Sequence, residues 1–344
     1  MVSKIAVNQP GAYLLLNGDE AVARGALEAG VKVAAAYPGT PSTEILETIA
    51  EVAKDFGIYA EWSINEIVAM EVAAGAAMTG MRAMVSMKHV GMNVAADAAM
   101  TLAYTGTVGG LVIVVCDDPS MHSSQNEQDT RYFAVHANIP LLDAGNPQEA
   151  YQMTREAFEL SEQLKLPVIV RLTTRVAHVR ARVRIQEFQK LNREANFDKD
   201  PSKWVMVPQN ATRQRQVLKG QILQAEKTAN TSEFNILEDN QQDIGIIGGG
   251  IGYYHAKSIV EPKQFSWLKL GFIFPFPTEL VKQFASKVKK LVVVEELRPY
   301  IEDNLRGLNV AILGKNQTGL PDSGEFSPDL IRASFAKLGY CDAA

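Results

Sequence analysis

The sequence has 344 residues, more than one compact domain usually holds, so we expect two domains. Hydrophobic residues make up 47% and charged residues 21%, which is ordinary for a soluble globular protein, and the net charge of -5 gives no reason to expect a nucleic-acid or membrane-surface partner. The two cysteines, Cys116 and Cys341, are too few for a disulfide scaffold or for an iron–sulfur cluster.

The first half of the chain alternates strand-like and helix-like segments. Strands are predicted at 31–37, 58–62, 83–87, 111–116 and 167–172, and helices at 41–54, 66–79, 93–104 and 147–163. The strands are apolar throughout rather than alternating, which is typical of a parallel sheet covered by helices on both faces. Residues 1–184 are therefore predicted to form one α/β domain.

The second half begins with a polar stretch, 185–242, which we interpret as a linker carrying a helix at 213–227. A second, smaller α/β domain is predicted over 243–344, with strands at 243–248, 267–270 and 291–294 and helices at 252–260, 278–287 and 328–338. No apolar run is long enough to cross a bilayer, and the first residues lack the apolar core of a signal peptide, so we expect a cytoplasmic protein.

The most informative motif is a carboxylate, Glu66, at the start of a predicted helix rich in small residues. One interpretation is a capping box, with Ser63 as the N-cap and Glu66 reaching back to the N-cap amide. The other is a glutamate presented at the carboxyl edge of a parallel sheet, where open α/β sheets bind ligands. The two interpretations are compatible, since a helix N-terminus can both hold and orient a carboxylate.

Three further segments follow predicted strands. Residues 37–44 read Tyr-Pro-Gly-Thr-Pro-Ser-Thr-Glu, residues 86–97 contain the pair Lys88-His89 before a glycine, and residues 117–132 are densely polar. Each segment has a plain alternative: a βα connection whose helix is capped by Ser42 or Thr43, a structural histidine, and a surface loop. A Lys-His pair at a strand end is nevertheless poorly explained by packing alone.

Together these segments resemble the 2-oxoacid:ferredoxin oxidoreductases, which are thiamine-diphosphate enzymes, and in particular their indolepyruvate branch. The resemblance rests on the Tyr-Pro-x-Thr-Pro-Ser loop with Gly39 at its variable position, on Lys-His-Val-Gly-x-Asn-Val-Ala-Ala-Asp at 88–97, and on the Glu66 helix with its Ala-Ala-Gly. It extends over nearly the whole chain and matches the first half of the alpha subunit. It implies a pyrimidine-binding (PYR) domain over 1–184 and a transketolase-C-terminal-like domain over 243–344.

The resemblance also implies roles for individual residues. Glu66 would hydrogen-bond a ring nitrogen of the aminopyrimidine and favour the imino form that removes the thiazolium proton. The residues implied to bind the cofactor with it are Gly39, Thr40 and Asn93. The residues implied to bind the 2-oxo acid are Thr40, Lys88, His89, Ser123, Gln125, Asn126 and Arg131, with His122 as a weaker candidate. His89 would move protons as a catalytic residue, and Arg131 would clamp the substrate carboxylate.

Parts of such an enzyme do not occur in this sequence. Gly18-Asp19-Glu20 is the only near match to the Gly-Asp-Gly motif that holds the diphosphate and Mg²⁺, and no Cys-x-x-Cys run occurs. No set of metal ligands is predicted in this chain. The resemblance therefore implies three partners: a subunit with the diphosphate and Mg²⁺ domain, an iron–sulfur ferredoxin-like subunit with 4Fe–4S clusters, and a gamma/beta-type oxidoreductase subunit. This chain would be either a split subunit or part of a longer one.

The second domain is expected to be structural, packing against the first domain and a partner. Its glycine-rich run at 245–252 invites a dinucleotide-binding interpretation but fails the spacing, because Tyr253 stands where the last glycine should be. Glu295 and Glu296, at a strand end, are either an interface pair or a solvated turn.

The expected activity is oxidative decarboxylation of a 2-oxo acid to CO₂ and an acyl-coenzyme A. The expected substrate is an aryl-substituted 2-oxo acid such as indolepyruvate, and the electrons would pass to iron–sulfur clusters in partner chains. Two alternatives stay open. One is half of a non-oxidative thiamine-diphosphate decarboxylase or transferase. The other is a non-catalytic assembly subunit in which Glu66 is only a helix cap.

Overall fold

The computed structural model describes residues 3–342, and its largest sheet has seven strands. Their spatial order is β12 (Phe272–Phe274), β6 (Leu141–Asp143), β7 (Val168–Thr173), β5 (Leu111–Asp117), β4 (Ala83–Lys88), β2 (Val33–Ala36) and β3 (Tyr59–Trp62). Neighbouring strands are parallel except β12 with β6. Because β5 is buried along its whole length, the sheet is covered on both faces, as continuous apolar strands predict.

The helices around this sheet follow the strands in the chain. They are α1 (Gly18–Glu28), α2 (Thr43–Ala50), α3 (Ala53–Phe56), α4 (Glu66–Met78), α5 (His89–Val94), α6 (Ala96–Thr105), α7 (Thr130–Ala137), α8 (Pro147–Leu164) and α9 (Thr174–His178). Helix α1 packs against α8, where the buried Arg24 donates to Glu28 at 2.7 Å and the hydroxyl of Tyr151 donates to the same carboxylate. Two helices, α10 (Pro201–Trp204) and α11 (Pro208–Asn230), lie in the stretch predicted as a linker.

A second sheet has five strands. Their spatial order is β14 (Ala311–Leu313), β13 (Lys290–Val294), β10 (Ile244–Gly249), β11 (Ser266–Leu270) and β9 (Ile236–Glu238), of which only β9 is antiparallel to its neighbour. The accompanying helices are α12 (Gly250–Ile259), α13 (Thr278–Ala285), α14 (Tyr300–Leu305), α15 (Lys315–Thr318) and α16 (Pro328–Lys337). A separate antiparallel ribbon pairs β1 (Tyr13–Leu16) with β8 (Ala181–Arg184).

The two α/β units are closely joined. Strand β12 comes from the second half of the chain but pairs with β6 of the first sheet, with Phe272 opposite Leu142. Strand β9, inside the stretch predicted as a linker, belongs to the second sheet. Strand pairing therefore crosses both predicted boundaries, at 184 and at 243.

Most predicted elements occur within a few residues of their expected positions, with two kinds of exception. The helix predicted at 41–54 is two helices, α2 and α3, and the helix predicted at 93–104 is also two, α5 and α6, which meet at Ala95. The elements for which the sequence analysis gives no bounds are β1, α1, α7, β6, α9, β8, α10, β9, β12, α14, β14 and α15. Among residues 3–342, no helix combines the length and the apolar character required to cross a membrane.

Candidate functional site

Three segments meet at the carboxyl ends of β2, β4 and β5. The Lys88 ammonium, at the end of β4, donates a hydrogen bond to the Ser123 carbonyl at 2.9 Å. The Ser123 hydroxyl donates to the Thr40 carbonyl at 3.0 Å. A side chain at position 39 would place its Cβ 3.1 Å from the Lys88 stem, so Gly39 leaves the space through which Lys88 passes. The structure thus brings four residues of the predicted site together.

Glu66 lies beside these segments as the first residue of α4. The N-cap is Asn65, whose side chain accepts a hydrogen bond from the Val68 amide at 2.9 Å, so the predicted capping box with Ser63 is wrong. Ser63 donates instead to Glu61 at 2.9 Å. The Glu66 carboxylate is half-buried and, in the part of the chain that the structure describes, accepts no capping bond. The positive end of the α4 dipole favours its charge.

Gly91, in the first turn of α5, fixes where the Glu66 side chain lies. A Cβ at position 91 would stand 2.5 Å from Oε1 and 2.9 Å from Cδ of Glu66, closer than real contacts allow. The carboxylate therefore rests on a bare stretch of the α5 backbone, two residues after His89. Asn93, on the same helix, is exposed. Sequence reasoning named Glu66 and Asn93 but missed both Asn65 and Gly91.

His89 is 1% exposed and uses one ring nitrogen internally. Its Nε2 lies 3.0 Å from the Asn126 carbonyl oxygen, and because that oxygen can only accept, Nε2 carries a proton. Among the described residues, Nδ1 has no hydrogen-bond partner although it is buried. A buried ring nitrogen without a hydrogen-bond partner is rare in folded proteins. The lone pair of this nitrogen is available to accept a proton. Gln125, next to Asn126, is exposed.

The loop after β5 is held in shape by Asp118. Its carboxylate accepts hydrogen bonds from the amide of Ser123 at 2.9 Å and the hydroxyls of Ser124 and Thr174 at 2.7 and 2.8 Å. Burial alone would raise the pKa of Asp118, but these bonds outweigh it and hold that pKa below its ordinary value. Sequence reasoning treated 117–132 as one polar segment and did not distinguish this anchor from the exposed residues it supports.

Arg131 is not part of this site. It is 2% exposed, and its guanidinium donates to Asp129 at 2.6 and 2.9 Å and to Glu295 at 2.7 Å. Two further bonds go to the carbonyls of Glu296 and Arg298. All three guanidinium nitrogens donate to groups at the contact between the two units, so Arg131 is not retained as a substrate clamp. Glu295 and Glu296 are buried in the same contact, which excludes the interpretation as a solvated turn.

Large apolar side chains are exposed near Glu66. Ile64, two residues before it, is 83% exposed, and Trp62, at the end of the edge strand β3, is 41% exposed. Val94, at the end of α5, is 46% exposed. Exposed apolar side chains in one neighbourhood are typical of a surface that contacts another molecule. His122 is more than half exposed, and its Nε2 lies 3.7 Å from Glu325.

The chain resembles known proteins along most of its length. The family model described as pyruvate flavodoxin/ferredoxin oxidoreductase, thiamine-diphosphate-binding, matches residues 24–242. The indolepyruvate oxidoreductase subunit IorA of Methanothermobacter marburgensis is 44% identical over 338 residues, which covers 95% of this chain and 55% of the relative. The subunit of the same name from Archaeoglobus fulgidus is 38% identical over 345 residues, covering 98% of this chain and 55% of the relative. The chain thus spans about half the length of these curated relatives, and the predicted resemblance to the indolepyruvate branch is confirmed.

Two solved structures show the same fold at low sequence identity. The 2-oxoglutarate:ferredoxin oxidoreductase of Magnetococcus marinus superposes with a TM-score of 0.74 at 16% identity, over 95% of this chain and 65% of that one. A split-gene transketolase superposes with a TM-score of 0.58 at 14% identity, over 95% of this chain and 94% of that one. The predicted fold class, a pyrimidine-binding domain with a transketolase-C-terminal-like domain, is confirmed.

Proposed function

Because the chain belongs to the thiamine-diphosphate-binding family of pyruvate flavodoxin/ferredoxin oxidoreductases, we propose that it is the cofactor-activating part of a 2-oxoacid:ferredoxin oxidoreductase. The curated relatives named indolepyruvate oxidoreductase support an aryl 2-oxo acid, with indolepyruvate first, as the substrate. The products would be CO₂ and an acyl-coenzyme A, with electrons leaving to 4Fe–4S clusters in partner chains.

The observation that carries this proposal is the Glu66 carboxylate. It lies at the positive end of α4, is half-buried, and rests on the bare backbone at Gly91. A carboxylate held in this way is suited to accept a hydrogen bond from an N–H of a heterocycle and to stabilise the protonated ring. The residues present therefore fit the aminopyrimidine ring of thiamine diphosphate, with Gly39, Thr40 and Asn93 as its further contacts.

Thiamine diphosphate, when bound, supplies the carbon nucleophile for attack on the keto group. This chain supplies the groups around it. The Lys88 ammonium donates one of its three N–H groups to the Ser123 carbonyl. Its positive charge lies at the carboxyl edge of the sheet, where it can neutralise the carboxylate of a 2-oxo acid. Nδ1 of His89, free and buried, can accept or return a proton as the reaction proceeds.

The substrate contacts are proposed to come from the two loops that Lys88 joins. Thr40 and Ser123 are exposed at their meeting point, and Gln125 and Asn126 continue the same exposed surface. These side chains offer hydroxyl and amide groups to the keto and carboxylate oxygens of the substrate. Arg131, buried elsewhere, takes no part.

The diphosphate and its Mg²⁺ are proposed to be held by a partner domain outside these 344 residues, since Gly18-Asp19-Glu20 lies inside the first turn of α1 rather than in an open loop. The exposed Trp62, Ile64 and Val94 supply an apolar surface for that partner next to Glu66. The partner domain and the cluster-bearing ferredoxin-like and gamma/beta-type subunits are proposed to complete the assembly. The cofactor would then lie where this chain and the diphosphate domain meet.

Reconstitution with the diphosphate-binding partner and the cluster-bearing subunits tests this proposal. Reduction of a viologen dye should require indolepyruvate, coenzyme A and thiamine diphosphate together. Release of CO₂ and an aldehyde without dye reduction would instead support a non-oxidative decarboxylase. Full activity of a complex carrying Glu66→Gln would support an assembly subunit in which Glu66 has no chemical role.

A further inference from the structure

Three helix ends meet behind the Gly39–Thr40 loop. They are the start of α1, the start of α2 and the end of α9. Gly18 permits this meeting, because a Cβ at its position would lie 2.2 Å from the Val176 carbonyl oxygen of α9. The three helix ends present Asp19, Glu44 and His178 to one another. The proposed chemistry uses none of these three residues.

Asp19 is the least conventional member of this group. It is fully buried, and among residues 3–342 neither of its carboxylate oxygens has a hydrogen-bond partner. Burial, followed by the nearby charges of Glu44 and Glu20, raises the pKa of Asp19 well above its ordinary value. An unpartnered buried carboxylate is costly whether charged or neutral, so its retention needs a compensating contact.

The other two residues stand where a compensating contact can form. One ligand atom from each of Asp19, Glu44 and His178 lies within 4.8 Å of the other two. Nδ1 of His178 is 3.6 Å from Oε2 of Glu44, too long for a hydrogen bond but close to the roughly 3.4 Å that separates two ligands on a tetrahedral ion with bonds of about 2.1 Å. The Asn17 amide donates to the same Glu44 oxygen at 3.1 Å and so orients the carboxylate.

We propose that Asp19, Glu44 and His178 bind one divalent transition-metal ion, with Zn²⁺ as the best match. Two carboxylates and one imidazole are the oxygen and nitrogen ligands that Zn²⁺ accepts, and a fourth position remains for water. The three residues lie far apart in the sequence, which is why their spacing predicted no metal site. The ion would be distinct from the Mg²⁺ that accompanies the cofactor diphosphate.

Such an ion would hold the Gly39–Thr40 loop in place from the side opposite the substrate. Glu44 follows Thr43, whose hydroxyl accepts a hydrogen bond from the Gly39 amide at 2.9 Å. Fixing the first turn of α2 to α1 and α9 therefore also fixes the start of the segment that carries Thr40. Oxygen-rich metal sites of this kind gain their affinity from ligands already held by the fold.

The test is calorimetric titration of the complete, chelator-treated chain with Zn²⁺ alone, in a buffer without competing ligands. We expect one equivalent to bind. Asp19→Asn, which preserves the shape of the side chain, and His178→Ala should each weaken binding by about 100-fold or more, since even residues that only orient a ligand contribute about 10- to 100-fold. Glu47→Gln and His136→Ala, exposed residues on α2 and α7, are matched controls and should leave binding unchanged.

Thermal unfolding gives a second readout that does not depend on affinity measurement. Without metal, Asp19→Asn should unfold at the same or a higher temperature than the unsubstituted chain, because the variant removes an unpartnered buried acid. With saturating Zn²⁺ the order should reverse. Absence of stoichiometric binding by the unsubstituted chain, equal affinity in Asp19→Asn, or loss of binding in His136→Ala would each overturn the proposal.

Discussion

The contact between Glu66 and Gly91 makes a sharp prediction, since a single methyl group at position 91 should move the carboxylate. In Gly91→Ala the new Cβ would lie 2.5 Å from Oε1, whereas ordinary contacts begin at 3.4 Å, so the carboxylate must retreat by about 0.9 Å. Misplacement of a reacting group by about 1 Å can cost about 100-fold in rate. We therefore expect kcat of the reconstituted complex to fall about 100-fold.

The same substitution should leave the fold intact. Gly91 lies inside α5 without a left-handed backbone conformation, and alanine is favoured over glycine in a helix by about 1 kcal/mol. Gly75→Ala is the matched control, because a Cβ there would meet no atom of residues 3–342 within 4 Å apart from its chain neighbours and the backbone of its own helix. Steady-state dye reduction and thermal unfolding should be measured on both variants. Wild-type kcat in Gly91→Ala, or an equal loss in both variants, would refute the reasoning.

Two further predictions concern the buried contact between the α/β units. Burial raises the pKa of Glu296 to about 7 from an ordinary 4.5, so the folded chain keeps a proton that the unfolded chain releases, and the free energy of unfolding should fall as pH rises between these values. Glu296→Gln can still accept the hydrogen bond from the Phe326 amide. In urea denaturation this variant should lose up to about 3 kcal/mol less free energy of unfolding over that pH range than the unsubstituted chain. Parallel pH profiles for the two chains would contradict this. Arg131→Gln should lower the free energy of unfolding by about 3–5 kcal/mol, because Asp129 and Glu295 are left buried without their cation. A stable Arg131→Gln chain whose complex had lost only substrate affinity would return Arg131 to the active site.

Much of the candidate site could be predicted because residues at the ends of parallel strands share one edge of a sheet. Thr40 and Glu66 follow strands and Lys88 ends one, and that local order is visible in the sequence. Which residue caps α4 was not visible, since Ser63 and Asn65 are both good N-caps and only the backbone path selects Asn65. The choice matters because it releases the Glu66 carboxylate from a capping role.

Contacts between distant parts of the chain were beyond sequence reasoning. Arginine is a residue type that commonly binds a substrate carboxylate, but Arg131 binds carboxylates of its own chain. One of them, Glu295, lies in the other α/β unit. Strand β12 pairs across the same boundary, and its three apolar residues look like any short core segment. The extent of helix α1 was not predicted because polar and small residues interrupt its periodicity, although most of it is buried.

The most direct test of the central claim is the rate at which bound thiamine diphosphate exchanges its thiazolium C2 proton for deuterium, followed by NMR after acid quenching. The measurement should be made on the reconstituted complex without 2-oxo acid, comparing Glu66→Gln with Glu71→Gln, an exposed carboxylate on the same helix. The account predicts that exchange slows at least about 100-fold in Glu66→Gln and is unchanged in Glu71→Gln. Exchange at the wild-type rate in Glu66→Gln would contradict it.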